Sequence, residues 1–193
     1  MNDTLQRAIE GMSSSDPEVR VASATEIHHL GRGLLDHAVY PWWSDAELSS
    51  LLDGGNPKVT VGLAVVPERF ERIHEASGSP RLADMPPDQD AQEFELHLPG
   101  GLSMDVLTSK DPDGSGAIAK YLKKFGEGIQ QVEFRCKDVD RATQILREKF
   151  AMKAVYPATR PGADGTRINF FLVSAPAAGK VLIELYEPSP RLD

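Results

Sequence analysis

The sequence predicts an α+β fold: two βαβββ modules, each in the order strand, helix, strand, strand, strand, preceded by an N-terminal helical segment. Apolar residues recur at helical spacing before residue 55, and short segments rich in valine and phenylalanine follow it. The order of these later segments repeats after ~75 residues, which indicates duplicated modules. We therefore expect a helical extension at 1–55 and a two-module domain at 56–193, with modules at about 56–112 and 126–190 and a linking helix at about 115–125.

Composition limits the classes of protein to consider. The chain has 193 residues, of which 40% are hydrophobic, and this is enough for a substantial core. The single cysteine, Cys136, excludes an internal disulfide, and the net charge of −8 disfavours binding to a nucleic-acid backbone. The first residues lack the apolar run of a signal peptide, and no stretch approaches the roughly 20 apolar residues that span a bilayer. We expect a cytoplasmic protein with neither nucleic acid nor membrane among its partners.

The first 55 residues carry two helix signals. Asp16-Pro17-Glu18 combines an N-cap residue, a proline suited to the first helical position and an acid in the first turn, and Gly31 is the expected stop. A second, short helix is expected from Ser44-Asp45 to Gly54-Gly55. The stretch at 15–31 resembles one unit of a HEAT-type repeat, but a stable array needs about three units. We therefore interpret the segment as a docked helical cap.

The first module is read from the change in pattern after Asn56-Pro57. Valine-rich and alternating segments indicate strands, and a proline followed by charged residues and spaced apolar residues indicates a helix. The expected elements are a strand at 58–66, a helix at 67–76, a weaker strand at 82–85, a strand at 92–98, a turn at 99–101 and a strand at 102–108.

The second module repeats this order. A strand is expected at 128–136, and Asp138 is the expected N-cap of the helix that follows. Three further strands are expected at 153–157, 166–173 and 180–186. Two curved sheets of this kind, placed side by side, would enclose a cleft, and clefts are where small ligands bind.

Three segments of the second half carry a family resemblance. Residues 117–131 (AIAKYLKKFGEGIQQ), the group Arg160-Pro161-Gly162-Ala163 with Gly165, and residues 181–188 (VLIELYEP) closely resemble methylmalonyl-CoA epimerases of the vicinal oxygen chelate superfamily. The resemblance covers about 58–188, although before residue 117 it rests on pattern alone. It implies a glyoxalase-like fold, a small-molecule ligand such as an acyl-CoA or a small carboxylate, and a homodimer.

The resemblance also implies a metal site, which this sequence fills incompletely. The family holds a divalent metal with a histidine that opens the first strand of each half, a glutamine from the first half and a glutamate on the last strand. Here the two histidine positions fall on Thr60 and Gln131, and the glutamate is kept as Glu184. The glutamine position falls on Asp90, or on Gln92 if the strand register shifts by two residues.

The loss of both histidines changes the expected cofactor. Threonine and glutamine offer weak oxygen donors in place of imidazole nitrogen, so Zn²⁺, Co²⁺ and Ni²⁺ should bind poorly. We therefore expect no cofactor. The alternative is a divalent metal such as Mg²⁺, Ca²⁺ or Mn²⁺, for which Glu184 and Gln131 are the candidate ligands, with Asp90 and Asp105 as further oxygen donors.

Strand periodicity places polar side chains together. In strand 128–136, Gln131, Glu133 and Arg135 face away from the apolar residues between them, because successive side chains alternate. Glu184 has the same place on the last strand, and the resemblance makes it the candidate catalytic group. The alternative is a half-solvated sheet with cross-strand ion pairs. The residues expected to line the cleft are Thr60, Asp90, Asp105, Gln131, Glu133 and Arg135.

Other chemically active residues have structural interpretations. His28, His29 and His37 are expected to be solvated or packed within the cap rather than metal ligands. Trp42 and Trp43 are expected to anchor the cap to the core or to a partner. Cys136 falls on the buried face of its strand and should be an inert thiol.

Two functions from different classes follow. We favour a glyoxalase-like protein with a degenerate metal site, which binds a small ligand or a partner in its cleft without the ancestral metal chemistry. The alternative is an active isomerase, like the epimerases, or a lyase, which uses Glu184 and an oxygen-ligated divalent metal. Stabilising an enolate-like intermediate normally requires a metal or an equally strong positive field, and this favours the first interpretation.

Overall fold

The computed structural model describes residues 3–53, 57–175 and 179–189, with only the backbone described at 36–38, 175 and 179. Its mixture of helices and strands confirms the α+β class. The helices are α1 (Asp3–Gly11), α2 (Pro17–Val39), α3 (Ala46–Leu51), α4 (Pro67–Ala76), α5 (Ala117–Phe125) and α6 (Val139–Phe150). The strands are β1 (Val59–Ala64), β2 (Gln92–Leu98), β3 (Leu102–Thr108), β4 (Gly128–Arg135), β5 (Arg160–Pro161), β6 (Arg167–Ala175) and β7 (Gly179–Glu187).

The described residues form two compact units. Unit 1 comprises Met1–Gly31 and Thr60–Gln130, and unit 2 comprises Arg32–Val59 and Gln131–Asp193. The helical segment at the N-terminus thus contributes to both units. The boundary near residue 55, between an extension and a two-module domain, stays a prediction.

In unit 1, β3 lies between β1, to which it is parallel, and β2, to which it is antiparallel. Helix α4 covers one face, where the Phe70 ring packs 5.0 Å from that of Phe94. Helix α5 lies against the other face, because Ile118 joins Ala64 and Leu107 in one buried cluster. On the face that carries α5, the helix packs on the Ala64 and Leu107 pair at the end of β1 and β3.

Helix α2 is longer than the sequence predicts. It continues through Gly31 to Val39, so the expected stop at Gly31 is wrong. A Cβ atom at Gly31 would lie 2.6 Å from a methyl carbon of Val61, closer than real Cβ contacts come. The glycine therefore permits close packing of α2 on β1, and it does not end the helix.

Unit 2 contains a β4-β7-β6-β5 arrangement in which β4 and β7 are parallel and the other pairs are antiparallel. Helix α6 begins at the expected cap, since the Asp138 side chain accepts a hydrogen bond from Arg141 N. Trp42 is buried, and its ring lies 6.3 Å from that of Phe134 and 6.4 Å from that of Phe171. The prediction that this tryptophan is an anchor is confirmed.

Two predicted strands are absent from the described residues. Residues 82–85 form no strand, although Ala83 N donates a hydrogen bond to Glu93 O. Residues 153–157 contribute only an isolated bridge from Ala154 to Phe171. Both segments adjoin or contain proline, which has no N–H to donate to a ladder. The strand that follows residues 153–157 is the two-residue β5.

The described residues contain no candidate membrane-spanning helix. None of the helices at 3–53, 57–175 and 179–189 has the length and apolar character needed to cross a bilayer.

Candidate functional site

The polar centre of unit 2 lies on β4 and β7. Val132 and Phe134 are fully buried on one face of β4, so Gln131 and Glu133 point to the other. Glu133 is the direct register partner of Glu184 on β7, and side chains that are paired in this way share a face. Gln131, Glu133 and Glu184 therefore share a face of one sheet. That they line a ligand cleft stays a prediction.

One amide connects the two carboxylates. Gln131 Nε2 donates hydrogen bonds to Glu133 Oε1 at 2.9 Å and to Glu184 Oε2 at 2.8 Å. All three side chains are at most 8% exposed, so these are buried hydrogen bonds to acidic groups, which are stronger than neutral ones. The glutamates are thus largely buried, unlike those of a half-solvated sheet. We name Gln131, Glu133 and Glu184 the carboxylate-amide cluster.

The same face becomes apolar toward β6. Phe170 is the register partner of Glu184, and Leu172 is that of Leu182. The Tyr156 ring lies 5.9 Å from that of Phe170, and the Arg160 guanidinium lies 4.8 Å above the Tyr156 ring. The face therefore combines acidic groups with an aromatic wall. The sequence prediction omitted Phe170 and Tyr156, because no local pattern distinguishes them from core residues.

Arg135 occupies the exposed end of this face. It follows Glu133 on the same side of β4, pairs in register with Tyr186 and is exposed. The cluster itself is buried, so the exposed Arg135 does not share the environment of the acidic groups.

Unit 1 carries the equivalent positions with different side chains. Thr60 pairs in register with Ser103, and Gly62 pairs with Asp105. Thr60, Ser103 and Asp105 are at most 5% exposed. Asp105 holds the place on β3 that Glu184 holds on β7, but glycine stands opposite it where unit 2 has a glutamate. Thr60 and Asp105 therefore share a buried face. Their place in a ligand cleft stays a prediction.

Asp90 has structural partners. Its carboxylate accepts hydrogen bonds from Ser109 Oγ at 2.6 Å and from Asp111 N at 3.0 Å. These bonds fix the chain just after β3. The alternative residue, Gln92, is the first residue of β2 and pairs with Thr108. Ser109 and Asp111 both lie beyond the end of β3, outside the register pairs that include Thr60 and Asp105.

The residues of the cluster do not fit the metal centre of the resemblance. At Gln131, an amide nitrogen points at both carboxylates, and a nitrogen that donates to them offers no lone pair to a metal. Within residues 3–53, 57–175 and 179–189, no group of three or more histidine, cysteine, aspartate or glutamate side chains is arranged to hold a metal ion. The predicted alternative of an oxygen-ligated divalent metal would require this amide to turn over.

Cys136 is buried directly after β4, and its thiol is unreactive. Burial raises the pKa of its thiol to about 11, and Sγ donates a weak hydrogen bond to Asp138 O. Thiolate is the nucleophilic form, so little of it exists near neutral pH. The expectation of an inert thiol agrees with this environment.

Comparison with known proteins gives matches among solved structures alone. No protein-family model and no curated protein matches the chain. Methylmalonyl-CoA epimerase from Mycobacterium tuberculosis is 36% identical, with a TM-score of 0.55, and the match covers 69% of this chain and 88% of that chain.

Two ligand complexes match as well. A methylmalonyl-CoA epimerase in complex with methylmalonyl-CoA and NH4+ is 26% identical, with a TM-score of 0.54, over 69% of this chain and 95% of that one. A variant of Streptomyces coelicolor methylmalonyl-CoA epimerase in complex with 2-nitronate-propionyl-CoA is 26% identical, with a TM-score of 0.53, over 68% and 96% of the two chains.

Proposed function

Because this chain belongs to the vicinal oxygen chelate (glyoxalase-like) superfamily, we propose that it binds an acyl thioester of the coenzyme A type without metal chemistry. The observation that carries the proposal is the pair of hydrogen bonds from Gln131 Nε2 to Glu133 and Glu184. Gln131 stands where the resemblance puts a histidine ligand. Its amide nitrogen already donates to both carboxylates.

The energetics favour this arrangement over a metal. Turning the Gln131 amide to present its oxygen would break both hydrogen bonds and leave the carboxylates without that donor. Losing a buried hydrogen-bond partner costs about 1–3 kcal/mol, and more when the partner is charged. Transition metals gain less from an amide oxygen than from imidazole. Metal binding at this site would therefore first cost the free energy of these two hydrogen bonds.

The thioester class rests on the matched structures and on the face itself. Two of those structures hold acyl-CoA ligands. In this chain the aromatic wall of Phe170 and Tyr156 offers apolar contact for an acyl chain, and Arg135, exposed on the same face of β4, offers a donor for its carbonyl oxygen. A ligand with one polar and one apolar end matches this change of character.

The test combines metal analysis with ligand binding. Purified, untagged protein is analysed by elemental mass spectrometry and titrated with Co²⁺, Mn²⁺ and Mg²⁺, and propionyl-CoA binding is measured by calorimetry. We expect substoichiometric metal and saturable binding of propionyl-CoA that is unchanged by EDTA. Near-stoichiometric metal that is lost in Glu184→Ala, or no binding of propionyl-CoA, would overturn the proposal.

A second candidate is an active isomerase or lyase. The specific observation in its favour is the presence of two buried carboxylates on one amide, since an epimerase needs one group to remove a proton and another to return it. Its test is uptake of solvent deuterium at the α-carbon of methylmalonyl-CoA, followed by mass spectrometry. Uptake that is lost in Glu133→Gln and Glu184→Gln, but kept in the exposed control Glu71→Gln, would replace the binding function.

A further inference from the structure

A cavity of about 380 Å³ lies in unit 2, along one side of α6. Its lining combines five residues between 140 and 148 of that helix with the segment at 157–159. Small-ligand sites range upward from about 300 Å³, so the cavity has room for a molecule the size of an amino acid. None of these lining residues belongs to the carboxylate-amide cluster, which lies on β4 and β7. The cavity is therefore a separate feature of this unit.

Arg147 brings a positive charge to the cavity. Its Nη2 atom donates hydrogen bonds to Tyr156 O at 2.9 Å and to Pro157 O at 2.7 Å, which hold the guanidinium against the opposite wall. In the part of the chain that the structure describes, Nε and Nη1 donate to no acceptor, and Arg147 forms no ion pair. A guanidinium is always charged and binds carboxylates strongly. The remaining donors are thus available to an anionic group.

Glu148 brings the opposite charge. Its Oε1 atom accepts a 2.9 Å hydrogen bond from Gln144 Nε2. Among residues 3–53, 57–175 and 179–189, no lysine, arginine or histidine forms an ion pair with Glu148. Asp140, the other acid of the lining, is neutralised by its ion pair with Arg167. The lining therefore keeps one cation and one anion that lack an ion-pair partner within the described residues.

Thr143 adds a buried hydroxyl to the lining. The residue is 4% exposed, and its Oγ1 atom has no hydrogen-bond partner among the residues that the structure describes. Thr143 precedes Arg147 by four residues, so the two side chains lie on one side of α6. Proteins pair the large majority of their buried polar side-chain atoms, and leaving one unpaired is unfavourable. A polar group of a bound molecule would supply the missing partner.

We propose that this cavity binds a free α-amino acid with a hydroxyl side chain, whose carboxylate contacts Arg147, whose ammonium group contacts Glu148 and whose hydroxyl contacts Thr143. A simple anion would be attracted by Arg147 and repelled by Glu148, and a simple cation would meet the reverse. A zwitterion brings a group of opposite sign to each charge, and its own net charge is zero. The contact with the buried Thr143 hydroxyl distinguishes hydroxyl-bearing amino acids from apolar ones. The site is independent of the proposed thioester binding.

The experiment titrates ¹⁵N-labelled protein with L-threonine and L-serine and follows the amide chemical shifts by NMR. Three analogues each change one group of L-threonine: 3-hydroxybutanoate lacks the ammonium group, 1-aminopropan-2-ol lacks the carboxylate, and L-valine has a methyl group in place of the hydroxyl. The variants are Glu148→Gln and Thr143→Val. The matched control for the first is Glu71→Gln, which removes one exposed acid from α4. Arg147 is left in place, because it also holds the chain at Tyr156.

We expect saturable shift changes in α6 and at 156–159 with both amino acids. Loss of either charged group from the probe should raise the Kd at least about threefold, because one charge of the cavity is then left unmet. L-valine should bind about two- to tenfold more weakly than L-threonine, which is the range for one hydrogen bond. Thr143→Val should abolish this difference, and Glu148→Gln should abolish the preference for L-threonine over 3-hydroxybutanoate. Glu71→Gln should change neither.

Several results would overturn the proposal. One is the absence of saturable changes with both amino acids up to about 10 mM, tenfold above a millimolar Kd. Others are 3-hydroxybutanoate that binds as tightly as L-threonine, and shift changes that lie outside α6 and 156–159. These comparisons between probes need no variant, so they hold even where a substitution disturbs folding. Binding of propionyl-CoA tests the proposed function separately, and its absence would leave this site intact.

Discussion

The two units share a strand register and differ in their polar side chains. In each unit, the first strand pairs in parallel with the last strand. Near the start of the first strand lies a polar residue, and the residue two positions after it pairs in register with an acidic residue on the last strand. The equivalent positions are Thr60 and Gln131, Gly62 and Glu133, and Asp105 and Glu184. Unit 2 therefore has an amide and two carboxylates where unit 1 has a hydroxyl, no side chain and one carboxylate.

Opposite faces of the same strands therefore specify the scaffold and the polar chemistry. Val61 and Leu63 in β1 and Val132 and Phe134 in β4 are all fully buried apolar residues. Burial of this face fixes the register, because a slip of one residue would expose it. The opposite face is then free to carry different polar groups in the two units, which is how one fold supports different functions.

The units also hold the N-terminal segment in different ways. In unit 1, backbone of α2 approaches β1 closely at Gly31 and Val61. In unit 2, the Trp42 ring is buried against Phe134 and Phe171. One attachment depends on the absence of a side chain and the other on the largest side chain available.

The largest expected effect is at the aromatic attachment. Trp42→Ala should lower the free energy of unfolding by about 3–5 kcal/mol, because it removes a fully buried ring and leaves a cavity. Urea denaturation followed by circular dichroism measures this. Tyr40→Ala, at a residue that is 76% exposed, should change stability by less than about 0.5 kcal/mol. Equal effects of the two substitutions would contradict the anchoring role.

The glycine attachment gives a smaller effect with a matched control in the same helix. Gly31→Ala should cost about 1–3 kcal/mol, because the new Cβ would overlap Val61. Gly33→Ala meets no atom within 4 Å and should instead stabilise the protein by about 0.4–1 kcal/mol, since alanine favours the helix. Thermal unfolding distinguishes opposite signs directly. Stabilisation by both substitutions would show that α2 and β1 are further apart than described.

The carboxylate-amide cluster gives the next comparison. Gln131→Leu keeps the approximate volume but removes the donor shared by Glu133 and Glu184, and should cost about 1–3 kcal/mol of unfolding free energy. Thr60→Val, at the equivalent position of unit 1, should cost less than about 1 kcal/mol. Chemical denaturation of both variants tests the ranking, and a larger loss for Thr60→Val would reverse our comparison of the units.

The smallest effect concerns the surface ion pair between Asp45, at the start of α3, and Lys149 of α6 in unit 2. Hydrogen bonding from Leu48 N, and then from Lys149, holds the pKa of Asp45 below its ordinary value of 3.8. The folded state therefore favours the carboxylate. Its stabilisation is present above pH 3.8 and is lost as the pH falls through the lowered folded pKa.

Asp45→Asn should accordingly be less stable than wild type near neutral pH, with the difference disappearing in acid. Denaturation across this pH range measures it, and added salt should shrink the part due to Lys149. A difference that persists unchanged in strong acid would attribute the effect to the loss of the cap geometry instead.

Local signals in the sequence predicted helix starts well. Asp45 and Asp138 both accept a backbone hydrogen bond three residues ahead, as their positions before helices indicate. Caps involve only neighbouring residues, so no tertiary information is needed. The stop at Gly31 was wrong because the reason for that glycine is Val61, which lies 30 residues further along the chain.

The alternation of apolar and polar residues in β4 and β7 can be read from the chain alone, and it indicates which side chains leave the core. That Gln131 reaches Glu184, 53 residues away, and donates to Glu133 at the same time follows only from the assembled sheet. Periodicity is a property of one strand, whereas the meeting of two side chains depends on the register between strands. That register is set by the packing of the whole unit.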